Sequence, residues 1–150
     1  MKKIFLFVLV VLCMITCACS LNDNKPEDAV ETLFERYRTK DDSIIEQLKE
    51  VITAEKLMDK QKEEYQNLME KQYDSLGYVI KDVKENENDA VATVEITVLN
   101  YHDAINKAEL ELKDNPEKFN DENNNFSEEK YMDYKIDLIK KVDDTTTYTL

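Results

Sequence analysis

The chain has 150 residues, with 33 Asp and Glu against 20 Lys and Arg, a formal net charge of -13, one His, one Gly, two Pro, no Trp and three Cys. That balance argues against nucleic acid and anionic membrane surfaces as electrostatic partners, because binding to either rests on clustered Lys and Arg. It keeps a surface protein soluble and favours cations or basic partners.

The N-terminus opens Met1-Lys2-Lys3, continues with an apolar run from Ile4 to Ile15, and ends in the small-residue cluster Thr16-Cys17-Ala18-Cys19-Ser20. A positive end, an apolar centre and a small-residue cleavage zone together read as a signal peptide. The run is about twelve residues, short of the roughly twenty that a spanning helix needs. No cationic stop signal follows it, so cleavage is expected in preference to a transmembrane anchor.

All three cysteines (Cys13, Cys17 and Cys19) lie in this segment, which leaves none for a disulfide framework in the rest of the chain. The cluster resembles the lipobox of bacterial lipoproteins, in which a small residue precedes a cysteine that receives a diacylglyceryl group before cleavage. The resemblance implies lipidation at Cys19, after Ala18, with Cys17, after Thr16, as the alternative; Thr16 stands where that pattern prefers leucine. Two or more acyl chains hold a protein at a membrane where a single chain does not. The expected organisation is a lipoprotein signal peptide over residues 1–18, a polar tether over 19–25 and one domain over 26–150. That domain would sit at the extracytoplasmic face of the cell membrane, attached through its lipid. Loss of Lys2 and Lys3 with the signal would make the mature chain more acidic by two charges.

After the tether, Pro26-Glu27-Asp28 has the composition of a helix first turn, and Ala29, Val30, Leu33, Phe34 and Tyr37 share one helical face. A break at Thr39-Lys40-Asp41 leads to a second helix, in which Ser43 and Glu46 have capping-box spacing and Ile44, Ile45, Leu48, Val51 and Ile52 form the apolar stripe. Thr53 is expected to cap a third helix running to about Ser75, with Met58, Tyr65, Leu68, Met69, Tyr73 and Leu76 at helical spacings. At Gly77, read as a helix end or strand entry, the period changes. Residues 78–83 read as a strand, 85–89 as a polar turn and 90–99 as a second strand. In that strand Ala92, Val94, Ile96 and Val98 alternate with Thr93, Glu95 and Thr97, so one face is buried and the other wet.

Asn100 and Asp103 bracket the start of a fourth helix with Tyr101, Ala104, Ile105, Ala108 and Leu112 on one face. Residues 114–126, rich in Asn and Asp, are expected to form a mobile loop. Ser127 caps a fifth helix through Val142, with Tyr131, Tyr134, Leu138 and Val142 on one side; a strand over 134–138 is the alternative, because that stretch also alternates. Thr145 to Leu150 is β-prone. This order predicts an α+β domain in which N-terminal helices pack on one face of a curved antiparallel sheet.

The stretches Asp-Ala-Val-Glu-Thr-Leu-Phe-Glu (28–35) and Asn-Asp-Ala-Val-Ala-Thr-Val-Glu-Ile-Thr-Val (88–98), separated by helices, resemble the small NTF2-like or cystatin-like domains carried by many Gram-positive lipoproteins, mostly of unknown function. The resemblance covers about residues 26–150 and implies the same α+β architecture. Such domains usually finish with a strand carrying a Gly-Lys-Trp-like ending. With no Trp and Leu150 as its last residue, the expectation is a sheet that is cut short or a sequence that is a fragment.

Residues able to do chemistry are few. His102 has no nucleophile motif to serve and is expected to decorate the fourth helix, and Gly77 alone cannot cradle a phosphate. Asp121, Asn123 and Asn125 have the spacing of the first ligands of a calcium loop, but Phe126 stands where the loop needs Gly and Met132 where it needs the bidentate Glu. One His and no retained free Cys cannot make the usual zinc sets. No catalytic residue, no metal site and no cofactor is therefore assigned. Tyr65, Tyr73, Tyr78, Tyr101, Tyr131 and Tyr134 could line a concave pocket, although tyrosine also suits half-buried positions with a wet hydroxyl.

The expectation is a non-enzymatic domain that binds an envelope protein or a small ligand. An NTF2-like enzyme or enzyme accessory, or an envelope immunity or inhibitor protein, are the alternatives. A deep cavity holding a perturbed carboxylate would favour chemistry, and a filled core with an exposed apolar patch would favour a partner.

Overall fold

The computed structural model describes residues 25–55, 57–86 and 89–150. The expected signal segment, both candidate lipidation cysteines and all of the expected tether but Lys25 lie outside the described residues. The first helix, α1 (Pro26–Arg38), has Pro at its N-terminus, Glu27 and Asp28 in its first turn and Arg36 and Arg38 in its last. Both charge sets complement the helix dipole. The chain turns at Lys40, which takes a positive φ of 53°, and enters α2 (Asp42–Ala54).

The cap of α2 is Asp41, whose Oδ1 accepts from the Ser43 backbone N–H at 3.0 Å, and not the Ser43–Glu46 box that the spacing suggested. Asp41, immediately before the helix, folds its carboxylate back on the free amides of the first turn. Its carboxyl is held below the usual range by hydrogen bonds from the Ser43 hydroxyl and amide, with Arg36 assisting. Ile44, Leu48 and Ile52 recur one turn apart along the buried stripe. Thr53 does not cap the third helix. It lies inside α2, where its hydroxyl donates to the Lys49 carbonyl at 2.7 Å.

The third helix, α3 (Asp59–Asp74), starts later than the apolar pattern indicates. Gln61 acts in place of a capping residue. Its Oε1 accepts from the Met58 N–H at 3.1 Å, and its Nε2 donates to the Glu129 carbonyl and to Asp133 Oδ1, at 3.2 and 2.8 Å. One buried amide therefore both starts α3 and ties it to the helix at 128–139. Met58, expected on the apolar stripe, is 52% exposed at this turn.

The strands β1 (Gly77–Glu85), β2 (Ala90–Leu99) and β3 (Thr145–Thr149) form an open antiparallel sheet in the order β1-β2-β3. Tyr78, Ile80 and Val83 pair with Ile96, Val94 and Ala92, with a register shift between Ile80 and Asp82. A regular strand would put Asp82 on the face of Tyr78 and Ile80. The extra residue, Lys81, bulges out and restores Val83 to that face.

The fourth helix, α4 (Tyr101–Asp114), is followed by a 3-10 turn (Pro116–Phe119) and by α5 (Glu128–Ile139). Residues 134–138 are therefore helical, and Ser127 caps them through its Oγ, which accepts from the Lys130 N–H at 3.3 Å. The buried positions of α5 are Ile136 and Ile139, so the face turned inward is not the one expected from Tyr131, Tyr134 and Leu138. Those tyrosines flank it, half-buried.

Two clusters make the core. Phe34, Tyr37, Ile44, Leu76, Val94 and Ile96 join α1 and α2 to the sheet. Leu68, Leu99, Tyr101, Ala104, Ile136, Ile139 and Val142 join α3 to α4 and α5. The fold is thus α+β, with five α-helices and a three-stranded open antiparallel sheet among the described residues.

Candidate interaction surface

The residues singled out for chemistry are put to structural use. His102 lies in the first turn of α4, and its Nε2 is 2.8 Å from Asn106 Nδ2. Asp121 does not gather acids. Its Oδ1 accepts from the backbone N–H groups of Asn123 and Asn125, both at 2.8 Å, and these bonds hold its carboxyl below the usual range. Among the described residues no three His, Cys, Asp or Glu side chains come together as a metal site.

The segment 114–126, expected to be mobile, is folded. Asn120 bridges to Phe126, and the Lys130 ammonium donates to the Asn120 carbonyl at 2.7 Å. The anchor is Phe119, 2% exposed, with its ring 5.4 Å from those of both Tyr131 and Tyr134. An aromatic three residues after Pro116 in a polar stretch was the available signal, and polar composition masked it.

The six tyrosines do not meet in one pocket. Tyr78 stacks on Phe34 at 4.7 Å, and Tyr73 meets Tyr37 edge-on at 5.3 Å. Tyr101 donates its hydroxyl to the Leu68 carbonyl at 3.0 Å in the other cluster, and burial pushes its pKa up to about 12. Tyr131 and Tyr134 clasp Phe119. Burial also raises the Tyr65 hydroxyl, with Glu55 adding to the effect. Burial lowers the ammonium pKa of Lys135 on α5, against the opposing pull of Glu109 and Glu55.

A hollow of about 550 Å³ lies along α3, open to solvent. Two of its lysines are already engaged, Lys140 with Glu64 at 2.8 Å and Lys71 with the Val142 carbonyl at 2.9 Å.

The far side of the sheet is different, because among the described residues only Leu99, at the end of β2, is buried on it. By strand alternation it carries Val79, Asp82 and Lys84 from β1, Val91, Thr93, Glu95, Thr97 and the buried Leu99 from β2, and Thr145, Thr147 and Thr149 from β3. Val79 and Val91 are 53% and 59% exposed. Glu95 pairs with Lys81 at 3.2 Å, and the Thr97 and Thr147 hydroxyls are 3.2 Å apart. On a chain of net charge -13 this face is close to neutral and bears two bare valines.

No protein family, no curated protein and no solved structure matches this chain. Function is therefore argued from the surface itself.

Proposed function

We propose that the protein is an extracytoplasmic lipoprotein, anchored to the cell membrane through Cys19 or, failing that, Cys17. Its domain binds another envelope protein on the uncovered face of the sheet. We also assign the domain to the NTF2-like or cystatin-like class, a reading supported by α1 and α2 packing on an antiparallel sheet. The observation that carries the binding reading is the contrast in cover. One face is filled by Phe34, Tyr37 and their neighbours, whereas the other leaves Val79 and Val91 in water among threonines. A nearly neutral face with exposed valines on an acidic surface marks a place where a protein partner can be desolvated at low electrostatic cost.

Among the described residues no helix is long and apolar enough to cross a membrane, so in this reading attachment depends on the lipid. Its test is palmitate labelling of the full chain in bacteria. Cys19→Ala is expected to abolish the label, and unchanged labelling of a Cys17→Ala, Cys19→Ala double variant overturns the anchor. The binding face is tested separately with a photo-crosslinking residue at Val79 or Val91 in the full chain in its own membrane, and with the same residue at Glu50 on α2 as control. Adducts to one envelope protein from the sheet positions alone support the reading. Identical adducts from all three positions, or none, refute it.

A further inference from the structure

We infer that β3 pairs antiparallel with β3 of a second copy of this chain, making one six-stranded sheet. The inference rests on backbone phase. Leu150 and Val94 exchange hydrogen bonds, Leu150 N–H to Val94 O at 2.8 Å and Val94 N–H to Leu150 O at 3.0 Å. The Asn100 N–H donates to the Asp144 carbonyl at 3.0 Å at the other end of the same ladder. Antiparallel bonding alternates, so Thr146, Tyr148 and Leu150 turn their backbone groups toward β2. Thr145, Thr147 and Thr149 turn theirs to an edge that no strand covers among the described residues, and this row of donors and acceptors is a template for a further strand.

The two edges of the sheet differ in what they permit. β1 is interrupted by its bulge at Lys81 and carries Lys81, Asp82, Lys84 and Glu85. β3 reads Thr-Thr-Thr-Tyr-Thr, with no charge, no proline and no bulge.

A second copy fits because the edge is self-complementary. With Thr147 opposite the partner's Thr147, Thr145 lies opposite the partner's Thr149 and the reverse, and all three outward residues of each strand are satisfied about one twofold axis. The same register sets Tyr148, 36% exposed on the helix side of the sheet, over the partner's Thr146. The pairing also solves a charge problem. Two molecules of net charge -13 approach here with no side-chain carboxylate facing another. The two copies of Asp144 lie at opposite ends of the junction, roughly 20 Å apart along the strands, beyond the range of strong electrostatic interaction at physiological salt.

This deepens the surface reading, since the threonine-lined face would continue across the junction, but it does not depend on lipidation. A five-residue edge is small, so the dimer is expected to be weak, in the micromolar to millimolar range.

The experiment compares the full chain with Thr147→Pro, by sedimentation equilibrium and residue-resolved amide exchange in dilute detergent. Proline removes an outward N–H and leaves the β2 ladder intact. Protection of the Tyr148 amide in both proteins reports that β3 is folded. The expected result is concentration-dependent doubling of mass, with the Thr147 amide protected only in the dimer. Thr147→Pro should weaken association by roughly tenfold or more, through two lost hydrogen bonds. A single-copy mass throughout the range, association unaffected by Thr147→Pro, or a Thr147 amide that exchanges freely in the dimer overturns the proposal. Capture of a different protein on β3 with no self-association does so as well. A Val79→Lys, Val91→Lys variant separates the two readings, because it should lose the envelope partner and still dimerise.

Discussion

The two faces of the same strand, β2, meet opposite environments. Val94 and Ile96 are buried at 5% and 3% exposure under α1, while Val91 stands 59% exposed and Glu95 is held only by Lys81 across the surface. Residues one position apart therefore contribute differently. Those on the helix side hold the domain together through removal of apolar area from water. Those on the far side contribute little to folding and are available for recognition.

The largest separation is expected from the neighbouring pair Ile96→Ala and Thr97→Ala. The first leaves a cavity between the sheet and α1 and should cost about 3 kcal/mol. The second loses only an exposed hydroxyl contact and should stay within about 0.5 kcal/mol. Urea unfolding measures both, and equal costs would erase the distinction between the faces.

Alkaline pH probes the buried side next. The Tyr101 pKa is about 12 in the fold and 10.0 as its ordinary value, so between these the folded chain keeps a proton that the unfolded chain has released. Stability is then fully present below about pH 10 and falls as pH rises toward 12. Burial likewise raises Tyr37 and Tyr65. Tyr101→Phe should cost about 1 kcal/mol at neutral pH through the lost bond to Leu68, and should flatten part of the alkaline decline in thermal melts. A decline unchanged by Tyr101→Phe would show that this hydroxyl is not its source.

Deleting Lys81 sharpens the comparison at an edge. Because Lys81 is the residue that bulges, its removal leaves Ile80, Asp82 and Val83 already in alternating phase. The deletion should therefore change stability by less than about 1 kcal/mol, and it should straighten β1 into a more adhesive edge, which light scattering of the deletion variant would detect. Loss of folding would show that the bulge is required for more than phase.

The smallest stability effect is expected for Val79→Lys, within about 0.5 kcal/mol in urea unfolding, against a clear loss of partner crosslinking. A costly Val79→Lys would place Val79 in the core and remove the argument for an open face.

Much of this layout was legible residue by residue. The alternation through Val94, Ile96 and Val98 located β2 and its wet face, and the stripe Ile44, Leu48, Ile52 located α2 and its buried side, because both periods are local consequences of backbone geometry. The start of α3 was not legible, since Gln61 caps it only by also reaching Glu129 and Asp133, some seventy residues away. The order within 114–126 was hidden for a similar reason. Phe119 is buried only because Tyr131 and Tyr134 come round to meet it. The candidate surface was half visible: alternation named its residues, but nothing local says that no helix returns to cover them.

The amino-acid sequence by itself determined the acidic balance, the apolar N-terminal run with its cysteines and the positions of most helices and strands, because charge, run length and hydrophobic period are properties of neighbouring residues. Tertiary structure decided which face of α5 turns inward, how the six tyrosines divide, why Lys81 bulges and which edge of the sheet stays open. Each of these depends on what a distant segment places against the residue, and burial is a property of the packed chain.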